Sequence, residues 1–139
     1  MSKELWINLP VKDLKRSKEF YVALGFELNS QHPDHDEAVS LIVGDNSVIV
    51  MLFPENTFQG FTSHAIANTQ QGSEVLFSLG AESREEVDEI ALKAGQAGGS
   101  VYGKPGDKDG WMYGCGFSDP DGHRWNVLFM DMSKIPKEG

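Results

Sequence analysis

One pattern occurs twice in this chain: a strand, a capped helix, then three strands. In the first copy, residues 4–9 alternate, with Leu5, Ile7 and Leu9 opposed to Trp6 and Asn8, as a strand with one apolar face requires. Pro10 closes it. Asp13 is placed to cap a helix over 14–24, where Leu14, Ser17, Phe20, Tyr21 and Leu24 form one stripe and Lys15, Arg16, Lys18 and Glu19 face water. Gly25 stops that helix, and Phe26–Asn29 starts a second strand. In the second copy, 74–79 alternates in the same way, Val75, Phe77 and Leu79 against Glu74, Leu76 and Ser78. Ser83 and Glu86 form a capping box, and Val87, Ile90, Ala91 and Ala94 follow helical spacing until Gly98-Gly99. The caps at Asp13 and Ser83 stand 70 residues apart. A duplication of this period predicts two similar modules, neither able to bury its apolar face alone. The fold class is α+β, with helices on one side of curved, mostly antiparallel sheets.

The remaining strands are read from turns. Gly44-Asp45-Asn46 joins strands near 37–43 and 47–53, and a short strand runs near 100–104. Asp119-Pro120-Asp121-Gly122 sets a tight turn inside Gly114–Met130. Beyond the turn, Arg124, Asn126, Leu128 and Met130 point one way and Trp125, Val127 and Phe129 the other, so one face is wholly apolar and the opposite one carries an amide. Residues 54–72 show no strand alternation. A connection of that length works as a lid, a linker or a disordered segment, with Phe58 and Phe61 either folding over a pocket or anchoring a crossover.

The totals narrow the function. At 139 residues the chain suits one domain with a real core. A formal charge of −9 argues against nucleic acid as a partner. No apolar run reaches the roughly 20 residues of a membrane span, and the N-terminal MSKELW lacks a signal-peptide core, so no membrane partner is expected. The lone Cys115 fits a reducing cytoplasm and a buried structural thiol, since no basic neighbour in sequence would lower its pKa.

Two motifs carry a family resemblance. Leu9-Pro10-Val11-Lys12-Asp13-Leu14, with Ser17, Phe20-Tyr21 and Leu24-Gly25-Phe26, stands at the front; Asp119-Pro120-Asp121-Gly122-His123 and its following strand stand at the back. Over nearly its whole length the chain resembles the vicinal-oxygen-chelate superfamily, which includes glyoxalase I, extradiol dioxygenases, fosfomycin-resistance transferases and bleomycin-resistance proteins. The resemblance implies a single domain over 1–139, built of two βαβββ modules whose curled, mixed, mostly antiparallel sheets surround a cavity. Module one would cover about 1–54 and module two 73–132, with a linker or lid over 55–72. It also implies where a metal would be held in the metal enzymes: positions that fall here on Trp6, Met51, Glu74 and Asn126. Only Glu74 is a good ligand for a divalent ion, because indole cannot bind one, thioether is soft and an amide oxygen is weak. The expectation is therefore no metal and no cofactor.

Parity points to the same side chains independently. Trp6, Asn8, Met51, Phe53, Glu74, Ser78 and Asn126 all lie opposite the faces that read as core, and an aromatic, amide-bearing lining suits an organic molecule. Phe58, Phe61, His64 and Tyr113 join the candidate ligand-binding set; Trp111 either borders the pocket or packs. Enclosed among Trp6, Met51 and Leu76, Glu74 would lose hydration as general bases do, which makes it the candidate catalytic residue; otherwise it is hydrogen-bonded to Asn126 or Asn8, or open to solvent. His32 and His35 on an acidic loop are a weak metal signal, and His123 is expected in solvent. The leading expectation is a metal-independent binding protein for a small organic ligand, resembling the antibiotic-binding resistance proteins. The alternative is a glyoxalase- or dioxygenase-like lyase or oxidoreductase using Glu74 as base or partial metal ligand. Apolar sheet edges predict a homodimer.

Overall fold

Each of the two capping residues starts its helix. In the computed structural model, which describes residues 5–29, 37–44 and 48–134, the Asp13 carboxylate accepts from the backbone N–H of Arg16 at 3.0 Å and opens α1 (Leu14–Ala23). Ser83 Oγ accepts from the Glu86 N–H at 3.1 Å and opens the longer helix of the second half. The reciprocal bond of that capping box falls one residue early: the Glu86 carboxylate accepts from the N–H of Glu82, not of Ser83. The chain divides into two compact units, Met1–Gly72 and Ser73–Gly139.

In the first unit β1 (Trp6–Val11), β2 (Glu27–Leu28), β3 (Val39–Val43) and β4 (Val48–Pro54) form a four-stranded sheet in the order β1-β4-β3-β2. β1 and β4 run parallel; the other two pairings are antiparallel. Leu9, Leu52 and Val39 stand in one row across three strands and are all buried. Phe20, Tyr21 and Leu24 of the α1 stripe, together with Val11, Leu41 and Val50, complete this core, and Tyr21 meets both Phe20 and Phe26 edge-on. Ser17 is buried on the same stripe.

Three expectations are corrected here. Pro10 does not end the strand: β1 continues to Val11 along the sheet edge, where a missing N–H costs no ladder bond. The second strand begins at Glu27 and not at Phe26, whose N–H still donates to the Tyr21 carbonyl at the helix end at 3.0 Å; Asn29 goes on pairing with Ser40, its N–H on the Ser40 carbonyl at 2.9 Å and its Nδ2 donating to Ser40 Oγ at 3.2 Å. The segment after Pro54 is not structureless: Glu55–Thr62 forms α2, which packs on β1 and β4 and ends at Ser63 in a left-handed conformation. His32, His35 and the Asp45-Asn46 turn lie outside the described residues.

The second unit repeats the plan. β5 (Leu76–Gly80), β6 (Ser100–Lys108), β7 (Met112–Ser118) and β8 (Arg124–Met130) are ordered β5-β8-β7-β6, with β5 and β8 parallel and the rest antiparallel. The helix α3 (Arg84–Gln96) lies against β6, β7 and β8. Phe77, Trp125 and Phe117 are in register on three adjacent strands; the indole is 4.7 Å from one ring and stacked at 6.3 Å on the other. Trp125, Phe117, Val127 and Cys115 are buried there with Val87, Ala91 and Ala94 of α3. The α+β class and the two mixed-sheet βαβββ modules are thus present. β5 starts later than alternation suggests, leaving Glu74 and an exposed Val75 before it, and β6 runs longer, to Lys108. No helix among the described residues is long and apolar enough to cross a membrane.

The Asp119 turn is locked by one side chain. Its carboxylate accepts from the N–H groups of Asp121 and His123 at 3.0 and 2.9 Å, and its own N–H donates to the His123 carbonyl. Asp119 is buried while making these bonds, as a buried carboxylate must be partnered. The turn fixes where β8 begins, and so fixes the face on which Asn126 emerges.

Candidate functional site

Strand parity sorts the candidates within each unit. On the face of the first sheet opposite its core, Asn8, Met51 and Ser40 form one cross-strand row; Trp6 pairs with Ile49 and Pro10 with Phe53 on either side of it. Trp6 and Asn8 are exposed, and Met51 and Phe53 are half-buried. Phe61 reaches down from α2 to meet Phe53 edge-on at 4.9 Å, although the rest of the ring is open to solvent. Phe58 is half-buried on the same helix, and His64 follows the helix exposed, its N–H on Thr62 Oγ1. The first unit therefore brings together Asn8, Met51 and Phe53, with Phe61 against the last of them.

In the second unit Ser78, Asn126, Gly116 and Gly103 form the corresponding row. The distinctive feature is a residue that strand-by-strand reading passed over. The register shift between Val101 and Gly103 makes Tyr102 an extra residue in β6, a second shift following between Gly103 and Gly106, and the first bulge turns the Tyr102 ring across β7. The phenol hydroxyl lies 3.2 Å from both the Asn126 Oδ1 and the Trp125 carbonyl oxygen, and donates to this pair. Gly116 makes that possible: a Cβ there would stand 2.5 Å from the Tyr102 ring. Arg124 covers the ring with its guanidinium 4.4 Å from the centroid. Burial raises the phenol's pKa above its ordinary value, opposed by the nearby Arg124 charge. The sequence signal was available: Val101 belongs to the core face, and Tyr102 follows it in a strand opposite alternating glycines.

With Oδ1 of Asn126 engaged by Tyr102, its Nδ2 is left as the group offered outward, beside Ser78 on the neighbouring strand. This is an oriented amide, framed by an aromatic ring and by Leu76 and Leu128 on the same face. It can donate to a carbonyl or carboxylate oxygen of an organic molecule lying on apolar surface.

Tyr113 goes to the other face. It shares parity with Cys115 and Phe117, its hydroxyl donates to Asp88 of α3, and Arg84 sits 5.0 Å above its ring. Trp111 precedes β7, its carbonyl accepting from the Asp131 N–H. Glu74 is exposed ahead of β5, so the enclosure that a base role requires is not provided at this position. Cys115 is buried, with its thiol facing the Val87 carbonyl, and burial pushes its pKa up to about 11, which suits an inert structural thiol.

The donors that a metal would need do not fit. Of the family-implied positions, Trp6 offers indole, Met51 thioether and Asn126 an amide whose oxygen already accepts from Tyr102; only Glu74 is a carboxylate. Among the described residues no three His, Cys, Asp or Glu side chains gather so as to hold a metal ion.

Known proteins bear on this geometry as follows. A family profile described as the Glyoxalase/Bleomycin resistance protein/Dioxygenase superfamily matches residues 5–127. The fold is similar to that of a hypothetical protein from S. aureus, with 36% identity and a TM-score of 0.81, covering 93% of this chain and 94% of the other. It is also similar to a glyoxalase-related enzyme from Fulvimarina pelagi, at 18% identity and a TM-score of 0.78 over 93% and 88% of the two chains. A lactoylglutathione lyase from Agrobacterium tumefaciens gives 21% identity and a TM-score of 0.63 over 97% and 98%. No curated protein matches the sequence. The last two likenesses concern the fold alone.

Proposed function

The chain belongs to the glyoxalase/bleomycin resistance protein/dioxygenase superfamily, and from that premise we propose that it binds a small organic molecule without a metal, resembling the antibiotic-binding resistance proteins. One observation carries the reading: the Asn126 amide stands where the family implies an anionic metal ligand, and its oxygen is occupied by the Tyr102 hydroxyl. A side chain so held is arranged to donate a hydrogen bond, not to chelate. Asn126, Tyr102 and Ser78 would orient the ligand's polar group, and Leu76 and Leu128 would supply apolar area. Asn8, Met51, Phe53 and Trp6 are the matching candidates on the first sheet.

The test is calorimetric titration of EDTA-treated protein with a panel of drug-like and metabolite-like compounds. Binding that survives chelation and weakens at least tenfold in Asn126→Ala supports the proposal. Binding that appears only after a divalent metal is restored overturns it. Turnover lost in Glu74→Gln would move the protein to the enzyme reading.

A further inference from the structure

Arg124 has no counter-charge among the described residues. Its guanidinium stacks on Tyr102, and no ion pair joins it to Glu74 or to any other described carboxylate. By contrast, Arg84 on the helix-covered side is held by Asp107. This is unusual placement in a chain with 21 acidic and 12 basic residues, where an exposed guanidinium has carboxylates available in excess. Parity puts Arg124 on the same face as Ser78, Asn126 and Tyr102, and none of the paired positions of that face in β5, β7 and β8 carries an acidic side chain. The stack on Tyr102 restricts the guanidinium without using its N–H groups in an ion pair, so the planar fork stays free to meet an anion. Asn126 Nδ2 and the Ser78 hydroxyl add neutral donors two residues along and one strand across.

From this arrangement we propose that the ligand is an organic acid: its carboxylate is received by Arg124 and Asn126, and its apolar body lies over Leu76 and Leu128. The inference rests on the binding function above and names the class of molecule bound. A carboxylate fits because Arg124 offers two parallel donors on a rigid plane, matching the two oxygens of a carboxylate. A cationic ligand, which the acidic composition would otherwise attract, would meet at this spot the Arg124 guanidinium, which no ion pair to a described carboxylate holds.

The experiment uses the full chain and matched probes: benzoate and phenylacetate against benzamide and phenylacetamide, titrated calorimetrically in the presence of EDTA. The acids are expected to bind at least tenfold more tightly than the amides. Arg124→Gln should bring the acids down to the amide level, and Arg124→Lys, which keeps the charge but loses the fork, should recover only part of the difference. Arg84→Gln, an equal change of charge on the helix side, should leave acid binding unchanged. Thermal melting of each variant verifies folding. Acids and amides of equal affinity, or acid binding indifferent to Arg124→Gln, overturn the carboxylate proposal; if amide binding is then still lost in Asn126→Ala, the binding function stands without it. If no probe of either kind binds at millimolar concentration, the carboxylate proposal also fails, whereas a failure of the wider drug and metabolite panel is what defeats the binding function.

Discussion

Tyr102 and Asn126 act as one polar unit, and each change to it has a definite consequence. Tyr102→Phe keeps the ring over Gly116 and the stack beneath Arg124 but removes the hydroxyl that holds Asn126. Because the pair is partly exposed, the expected stability loss is about 0.5–1 kcal/mol, read from urea melts, whereas ligand affinity should fall further as the amide loses its orientation. An unchanged affinity would mean that the hydroxyl does not position the amide. Cys115 gives a pH signature of the fold. Burial raises its pKa from the ordinary 9.0 to about 11, so the folded chain keeps a proton that the unfolded chain releases sooner. Its contribution is complete below about pH 9 and is lost as pH rises toward 11. Denaturation curves across that window should therefore slope downward, and Cys115→Ala should flatten part of the slope.

Among the elements, β7 shows most clearly what alternation alone leaves out. Its outward positions Gly114 and Gly116 carry no side chains because neighbouring groups lie across them: a Cβ at Gly114 would come within 2.8 Å of the Val127 carbonyl oxygen and 2.6 Å of a Leu128 methyl, and one at Gly116 would strike Tyr102. Gly114→Ala presses on backbone and should destabilise by about 1–3 kcal/mol in thermal or urea unfolding. Gly116→Ala presses on a movable ring, so it should chiefly weaken ligand binding. Local rules served well where one residue decides a local event. Asp13 and Ser83 mark both helix starts, and the order of Trp125, Asn126 and Val127 gives the two faces of β8. They failed where neighbours decide. Pro10 continues a strand because that strand is an edge, and α2 forms from a two-turn segment too short for a clear period, held by packing on β1 and β4. Alternation from Val101 gives Tyr102 its face, but the bulge that lays its ring over Gly116 depends on the pairing of β6 with β7 and has no local signal. For Ser83→Ala the expected cost is about 1 kcal/mol, the usual value of an N-cap, measured by the same melts.

At the scale of the whole molecule, exposed apolar side chains mark both parallel edge strands. Leu5 stands exposed just ahead of β1, and Val75 stands exposed just ahead of β5. Such surface favours self-association, and sedimentation of the purified chain is expected to give twice the mass of one copy. A single-copy mass at all concentrations would contradict that expectation without touching the ligand proposal. The central claim concerns the face that holds Asn126, and amide NMR of the full chain tests it most directly. In EDTA, saturation with the tightest binder from the compound panel should shift the signals of Ser78, Tyr102, Gly116 and Asn126, including the Asn126 side-chain NH2, while those of α3 stay in place. Shifts confined to α3 and the helix-covered face, or shifts that require an added divalent metal, would contradict it.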